Sequence, residues 1–148
     1  GYRGAQRQGE LSGGIEARHG RRHRRQPHAG AAVAPHDGLL DAGVLVRMER
    51  LWPGRTPEQR SSAWQDFQWT KVEGALAELQ ARLGAAQTFV GGRVSLADLA
   101  VASALGWLDY RLPDRPWRPQ VPALAAWYAG FAQRPSFAAS APPPLPPG

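Results

Sequence analysis

Large apolar side chains recur at helical spacing only from Asp37 onward, and this boundary limits what the chain can fold into. All six tryptophans follow residue 36, whereas residues 1–36 contain just four large apolar residues. A segment so poor in apolar side chains cannot bury enough surface to offset the entropy of ordering. We therefore expect one folded domain over residues 37–148, preceded by an irregular, disordered segment. The four residues are Tyr2, Leu11, Ile15 and Val33.

The first 36 residues also carry most of the net charge of +6. Seven arginines stand there against two glutamates, a balance of +5, while residues 37–148 are nearly neutral. The run Arg21-Arg22-His23-Arg24-Arg25 would bind nucleic-acid phosphates, but no aromatic residue is interleaved for base stacking, which argues against nucleic acid. Two further alternatives are an organelle transit peptide, although Ser12 is the segment's one serine, and a metal site at His19 and His23.

A simpler reading of residues 1–36 is that they are not a selected segment. Arginine, glycine, alanine, proline and histidine dominate them, as in a GC-rich gene translated in the wrong frame, and Lys71 is the chain's single lysine. We hypothesise a frame error or a fragment scar, and the Gly1 start suggests that the chain is a fragment. The DNA upstream of codon 37, read in all three frames, tests this hypothesis.

Composition excludes several kinds of site. The chain has no cysteine, which excludes disulfides, thiolate zinc ligands and cysteine nucleophiles. No apolar run approaches the ~20 residues of a membrane helix. We predict no metal site, no catalytic residue in this chain and no membrane association.

Two helices are predicted in the first part of the domain. The first runs from Asp37 to Leu51 with an apolar stripe at spacings of three and four. The second begins at Thr56, where Gln59 completes a capping box, and runs for about 28 residues to Gly84. The first stripe is Leu40, Val44, Met48 and Leu51; the second is Trp64, Phe67, Val72, Ala75, Leu76, Leu79 and Leu83.

The third predicted helix has the most specific local signal. Ser95 can cap it, and Asp98, three residues later, can reach back to the Ser95 amide. Val94 and Leu99 would form a hydrophobic staple, and the helix is expected to end near Tyr110. One face carries mostly small residues, which permit close packing between helices: Leu99, Ala102, Ser103, Gly106 and Tyr110.

A fourth helix is predicted to start at Pro122 and to end at Arg134-Pro135. Its stripe is Leu124, Trp127, Tyr128 and Phe131. The proline-rich tail, residues 141–148, should be extended. Because no stretch alternates like a strand, the sequence predicts an all-α domain of four to five helices.

These helices, with their particular residues, resemble the C-terminal domain of bacterial cytosolic glutathione S-transferases. The likeness covers nearly all of residues 37–148, and its most specific part is the capping segment. It implies a four to five helix bundle of the glutathione S-transferase C-terminal type. Four segments carry it: Asp37–Ala42 with Arg47-Met48-Glu49; Trp64–Leu83; Phe89–Gly92 with Val94–Ala100; and Leu108–Arg111, Trp117-Arg118, Pro122–Leu124, Trp127 and Arg134–Phe137.

The resemblance also implies a division of labour. In the family, glutathione is bound mainly by an N-terminal thioredoxin-like domain, which residues 1–36 do not contain, so that half is absent or out of frame. Glutathione is then the co-substrate of the intact family member, with no cofactor in this chain. We expect the chain alone to be inactive, and the family to be cytoplasmic and to form homodimers.

The C-terminal domain supplies the family's binding side for small hydrophobic electrophiles. The candidate residues on this chain are Arg47, Trp52, Trp107, Tyr110 and Trp117. Met48 lies on the predicted apolar stripe and is expected in the core. Ser95 and Asp98 are expected to be structural, because no histidine follows His36 to complete a nucleophilic site.

Two alternative functions stay open. Similar helical domains serve as non-catalytic assembly modules, and the basic arm would allow nucleic-acid binding. A thioredoxin-like reading frame upstream favours the enzyme, whereas salt-dependent binding that is lost with residues 1–36 favours nucleic acid.

Overall fold

The computed structural model describes residues 30–143, with side chains from residue 37 onward. Five α-helices follow one another there without a strand, which confirms the all-α prediction: α1 (Gly30–Leu51), α2 (Ser62–Leu83), α3 (Leu96–Arg111), α4 (Pro122–Ala132) and α5 (Pro135–Ala138). Single 3₁₀ turns precede α2 and α4, at Pro57–Gln59 and Arg118–Gln120. The predictions for residues 1–29 and for the tail end, residues 144–148, lie outside the described residues.

The helices form one layered bundle around a common core. α1 packs along α2, α3 lies against α1, and α4 contacts both α2 and α3. None of the described helices is both long and apolar enough to cross a bilayer. The core draws on every long helix and includes Leu39, Val46, Val72, Leu76, Leu79, Val101, Leu105, Leu108, Trp117 and Leu124.

α1 begins at Gly30, earlier than the predicted start at Asp37. Its first turns include Gly30 and Pro35, residue types that usually interrupt a helix. The sequence between them is rich in alanine, the residue with the highest intrinsic helix propensity. The helix therefore extends into the part of the chain that apolar content alone assigned to the irregular segment.

The buried stripe of α1 also differs from the predicted one. Met48, expected in the core, is 39% exposed, and Val44 and Leu51 are exposed as well. The buried side chains are those of Leu39, Ala42, Val46 and Glu49, and Gly43 is buried next to Ala42. Their spacings of three, four and three satisfy the helical period equally well. Because Glu49 is polar, the sequence pattern of this stripe resembles that of a solvent-facing one.

α2 starts at Ser62 and has 22 residues, so the predicted start at Thr56 was wrong. Thr56 and Gln59 do form a contact, in which the Thr56 N–H donates to the Gln59 side chain at 2.9 Å. That contact belongs to the isolated 3₁₀ turn. The helix itself is capped by Ser61, whose hydroxyl accepts from the Trp64 N–H at 3.1 Å.

Apolar residues near the start of α2 and α3 face outward rather than inward. Trp64 and Phe67 are exposed on α2, although both lay on its predicted stripe. On α3, Leu99 is exposed and the buried residues are Ala97, Asp98, Val101, Ala102, Ala104, Leu105 and Leu108. α4 follows its prediction more closely, with Leu124 and Phe131 buried.

Candidate functional site

A cleft of about 580 Å³ opens between the C-terminal half of α3, α4 and the segment around α5. Its size falls in the range of small-molecule sites. Four of the eleven lining residues are aromatic, so the cleft suits a flat or apolar ligand. The lining residues are Ser103, Gly106, Trp107, Asp109, Tyr110, Arg111, Tyr128, Phe137, Ser140, Ala141 and Pro142.

The Trp107 side of the cleft rests on α1. The Trp107 ring lies so close to Gly43 that a Cβ added at Gly43 would sit 2.9 Å from the ring. Only glycine permits this approach without a shift of one partner. Trp107, a predicted site residue, therefore lines the cleft with its ring set between α3 and α1.

Tyr128 on α4 faces the same cleft from the other side. Its hydroxyl lies over Gly106, where an added Cβ would come within 2.9 Å of the oxygen. The Tyr128 ring packs edge-on against Phe137, with 6.4 Å between centroids. Burial raises the pKa of Tyr128 above its ordinary value, so the hydroxyl stays protonated at neutral pH. It can therefore donate a hydrogen bond to a bound molecule.

Trp117, another predicted site residue, lies behind the cleft rather than in it. It is 1% exposed and packs against Tyr128 with 6.0 Å between ring centroids. Its indole N–H donates to Asp109 Oδ1 at 2.9 Å. Arg118 binds both oxygens of the same carboxylate at 2.6 Å, and this pairing raises the pKa of Arg118. The Asp109 charge is thus compensated before any ligand arrives.

Tyr110 and Arg111 stand together at the end of α3. Both line the cleft, and the Arg111 guanidinium lies 4.6 Å from the centre of the Tyr110 ring. Such stacking orients the cation without neutralising it. Among the described residues, no carboxylate forms an ion pair with Arg111.

The register of α1 against α3 places Arg47 level with Arg111 along the bundle. Gly43 meets Trp107, and Arg50 pairs with Asp114 at 2.9 Å over a separation of 64 residues. Gly43 and Trp107 have the same separation, so the two helices run side by side in parallel. Arg47 follows Gly43 by one helical turn and thus lies at the level of Arg111.

Trp52 is separated from these residues. It lies just beyond the end of α1, is 51% exposed and does not line the cleft. A shallow second hollow lies near it and is formed by Glu49, Gly54, Arg55, Gln59, Ser61 and Trp64. The structure therefore brings Trp107 and Tyr110 into one cleft, with Trp117 behind it and with Arg47 and Trp52 outside its lining.

Ser95 and Asp98 form the start of α3. The buried Asp98 carboxylate accepts the Ser95 N–H at 2.8 Å and the Ser95 hydroxyl at 2.7 Å. It also accepts the Phe89 N–H at 2.9 Å, across a turn in which Gly91 and Gly92 have positive φ. Every contact of this pair serves the fold, and neither residue lines the cleft.

Sequence reasoning missed several residues of the cleft. Tyr128 was placed on the stripe of the fourth helix, and Arg111 and Phe137 entered only as parts of the family likeness. A helical stripe marks which residues face inward, but it cannot separate core from cleft. The unpaired Arg111 carried no signal, because pairing depends on contacts between distant segments.

Comparisons with known proteins agree with this fold. Residues 62–130 match the family model described as glutathione S-transferase, C-terminal domain. The helical domain is thus of the glutathione S-transferase C-terminal type. A glutathione S-transferase-like protein, FUS3 of Gibberella fujikuroi, is 38% identical over 64 residues, which cover 43% of this chain and 30% of that protein.

Solved structures extend the likeness of the domain beyond that match. A glutathione transferase family member from Pseudomonas fluorescens Pf-5, with bound S-(propanoic acid)-glutathione, is 43% identical with a TM-score of 0.67, covering 78% of this chain and 56% of that one. A glutathione S-transferase of Methylobacterium radiotolerans, in complex with glutathione sulfonate, is 37% identical with a TM-score of 0.69, covering 81% and 55%. This chain thus spans little more than half the length of these structures.

Proposed function

We propose that this domain forms the electrophile-binding side of a glutathione S-transferase, and that the intact protein conjugates glutathione to hydrophobic electrophiles. The observation that carries the proposal is the aromatic cleft at the end of α3. Its size and lining suit a small apolar molecule, and it lies in a domain of the glutathione S-transferase C-terminal type.

The side chains of the cleft would divide the work of holding an electrophile. Trp107, Tyr110 and Phe137 offer ring faces and edges that bury its apolar body. The Tyr128 hydroxyl would donate to an oxygen or nitro group on the same molecule. Trp117 would act as a positioning residue, since it contacts Tyr128 and Asp109 rather than the cleft.

Glutathione would enter this reaction as the co-substrate, held by residues outside this domain. Relatives with bound glutathione derivatives support this assignment. This chain alone would then be inactive. We further propose a cytoplasmic protein that assembles as a homodimer.

Calorimetric titration of the full chain with 1-chloro-2,4-dinitrobenzene tests whether the cleft binds an electrophile. Phe137→Ala should weaken binding about fivefold, because it removes one ring from the site. Phe67→Ala is the matched control, since Phe67 is exposed on α2 outside the cleft. Equal effects of the two substitutions would refute the assignment of the cleft.

Turnover gives the second test. With glutathione and the same electrophile, the full chain should show no rate above the uncatalysed reaction. Measurable glutathione-dependent turnover would refute the proposed division between this domain and the rest of the protein.

Exposed apolar side chains on α1 and α2 support a second candidate, a non-catalytic interaction module. Six of them are at least 39% exposed, and large exposed apolar areas mark interaction surfaces. Failure of the chain to bind the electrophile, with concentration-dependent association in sedimentation, would favour this candidate. The six residues are Val44, Leu45, Met48, Leu51, Trp64 and Phe67.

A further inference from the structure

The charged groups around the aromatic cleft are unequal in their pairing. Asp109 is the one carboxylate in the lining. Its charge is compensated by the two terminal nitrogens of Arg118, and it also accepts the Trp117 N–H. Arg111 lines the same cleft, and its guanidinium lies over the Tyr110 ring without a carboxylate partner among the described residues. The cleft therefore presents an uncompensated positive charge beside aromatic walls.

A second cation lies at the same level. The parallel register of α1 and α3 puts Arg47 one helical turn beyond Gly43, on the stripe that also carries Arg50. Arg50 is occupied by Asp114 and Gln65, whereas Arg47 has no carboxylate partner among the described residues. Arg111 in the cleft and Arg47, level with it on the neighbouring helix, are thus two guanidinium groups without a carboxylate partner among the described residues.

Neutral hydrogen-bonding groups complete the polar part of the lining. The Ser140 hydroxyl donates to the Phe137 carbonyl at 2.8 Å, so that proton is already used. The Tyr128 hydroxyl lies over Gly106 and stays protonated, so it can donate. Arg111 is the one cation in this lining, and together with the Tyr128 hydroxyl as a donor it suits a ligand bearing an acceptor or a negative charge.

We propose that the cleft selects aromatic substrates that carry an anionic group such as a carboxylate, with Arg111 as its principal contact and Arg47 adding to the field. This inference rests on the proposed electrophile-binding role and names the class of electrophile. The aromatic body packs among Trp107, Tyr110 and Phe137. The carboxylate accepts the planar donor fork of Arg111, a charge-assisted contact roughly twice as strong as a neutral one.

A matched pair of ligands separates the effect of the negative charge on binding from the effect of the aromatic body. 2-Naphthoate and 2-naphthamide have nearly the same shape and aromatic surface, and only the first is anionic at neutral pH. Calorimetric titration of the full chain at low ionic strength should give a dissociation constant for 2-naphthoate about tenfold below that of the amide. Added salt should weaken the binding of 2-naphthoate and leave the amide nearly unchanged.

Variants then assign the contact. Arg111→Gln should raise the dissociation constant of 2-naphthoate about tenfold and change that of 2-naphthamide less than twofold. Arg47→Gln should raise the 2-naphthoate constant about threefold through the lost long-range attraction. Arg93→Gln is the matched control: Arg93 is exposed before α3 and outside the cleft, so it removes the same charge without touching the ligand.

The outcomes separate this inference from the proposed function. Equal affinity of wild type for both ligands, or an Arg93→Gln effect as large as that of Arg111→Gln, would refute the anion preference and leave an aromatic cleft in place. Failure of both ligands to bind would refute the cleft itself together with the preference. Circular dichroism of each variant verifies that lost affinity does not reflect lost folding.

Discussion

At the starts of α2 and α3, a carboxylate accepts the N–H of the capping residue, but the two carboxylates come from different parts of the chain. At α3, Asp98 accepts the N–H of the capping residue Ser95 from within the helix. At α2, the N–H of the capping residue Ser61 is accepted by Glu49 Oε1 at 2.9 Å, from α1. Both carboxylates are buried. One helix start is thus specified locally, and the other by a neighbouring helix.

The Thr56 turn shows what a capping sequence does without such support. Thr56 and Gln59 make the same backbone-to-side-chain contact as Ser95 and Asp98. Every residue of that turn is exposed, and it ends at Arg60 in extended backbone. A capping motif therefore predicts a turn of helix, while the length of the helix depends on packing of the residues that follow.

The largest expected effect is at Asp98. Asp98→Ala removes one carboxylate and leaves the Phe89 and Ser95 N–H groups without their acceptor in a buried setting. We expect a loss of about 3 kcal/mol in the free energy of unfolding, measured by urea denaturation. Asp41→Ala, at an exposed position on α1, is the control and should change it by less than about 0.5 kcal/mol. A similar small change at Asp98 would contradict the local specification of α3.

Asp98→Asn is the second variant if Asp98→Ala does not fold. It keeps one acceptor oxygen and should lose about half as much free energy of unfolding as we expect for Asp98→Ala.

A smaller, pH-dependent loss is expected at Glu49. The Ser61 N–H, followed by the charge of Arg55, holds the pKa of the Glu49 carboxyl below its ordinary value. A lowered pKa in the folded state adds stability at neutral pH that is lost as the pH falls through the folded pKa. Glu49→Gln should therefore be less stable than wild type at pH 7, with the difference shrinking in acid. A difference in urea midpoint that is constant from pH 7 to pH 3 would contradict this.

Ser61→Ala should cost about 1 kcal/mol, the usual contribution of a serine cap. The Trp64 N–H loses the Ser61 hydroxyl as its acceptor, while the Glu49 contact to the backbone remains. Ser62→Ala, one residue further and exposed, is the matched control. Equal effects of the two alanine variants in thermal unfolding would place the cap elsewhere.

The smallest effect is expected at the isolated turn. Gln59→Ala removes the acceptor of the Thr56 N–H, but water replaces it at an exposed position. The free energy of unfolding should change by no more than about 0.5 kcal/mol. A loss as large as that of Asp98→Ala would mean that the two capping motifs carry equal weight.

Sequence reasoning succeeded where the determining contacts are local. The Ser95–Asp98 spacing, the Pro122 start and the Arg134-Pro135 end of α4 all act within one turn of the chain, and α3 and α4 have the predicted starts. It failed at α2, because Glu49 reaches Ser61 from another helix. No spacing rule reports that contact.

The same limit applies to the cleft. Trp107 and Tyr110 were named as site residues from the family likeness, and both line the cleft. Trp117 was named on the same ground, but its side chain is buried and its indole N–H donates to the Asp109 carboxylate. Aromatic content locates a packed region of this chain, whereas the side from which each ring is approached depends on the assembled bundle.

The contact of Trp107 with Gly43 has a consequence for the stiffness of the cleft. A ligand that presses on Trp107 also presses on α1, a helix of 22 residues that is packed along α2. Phe137 on the opposite side belongs to α5, a single turn of four residues, and its ring packs against Tyr128 and Phe131. We expect larger molecules to be accommodated by displacement of α5, so that the α1 side fixes ligand orientation and the α5 side sets the size limit.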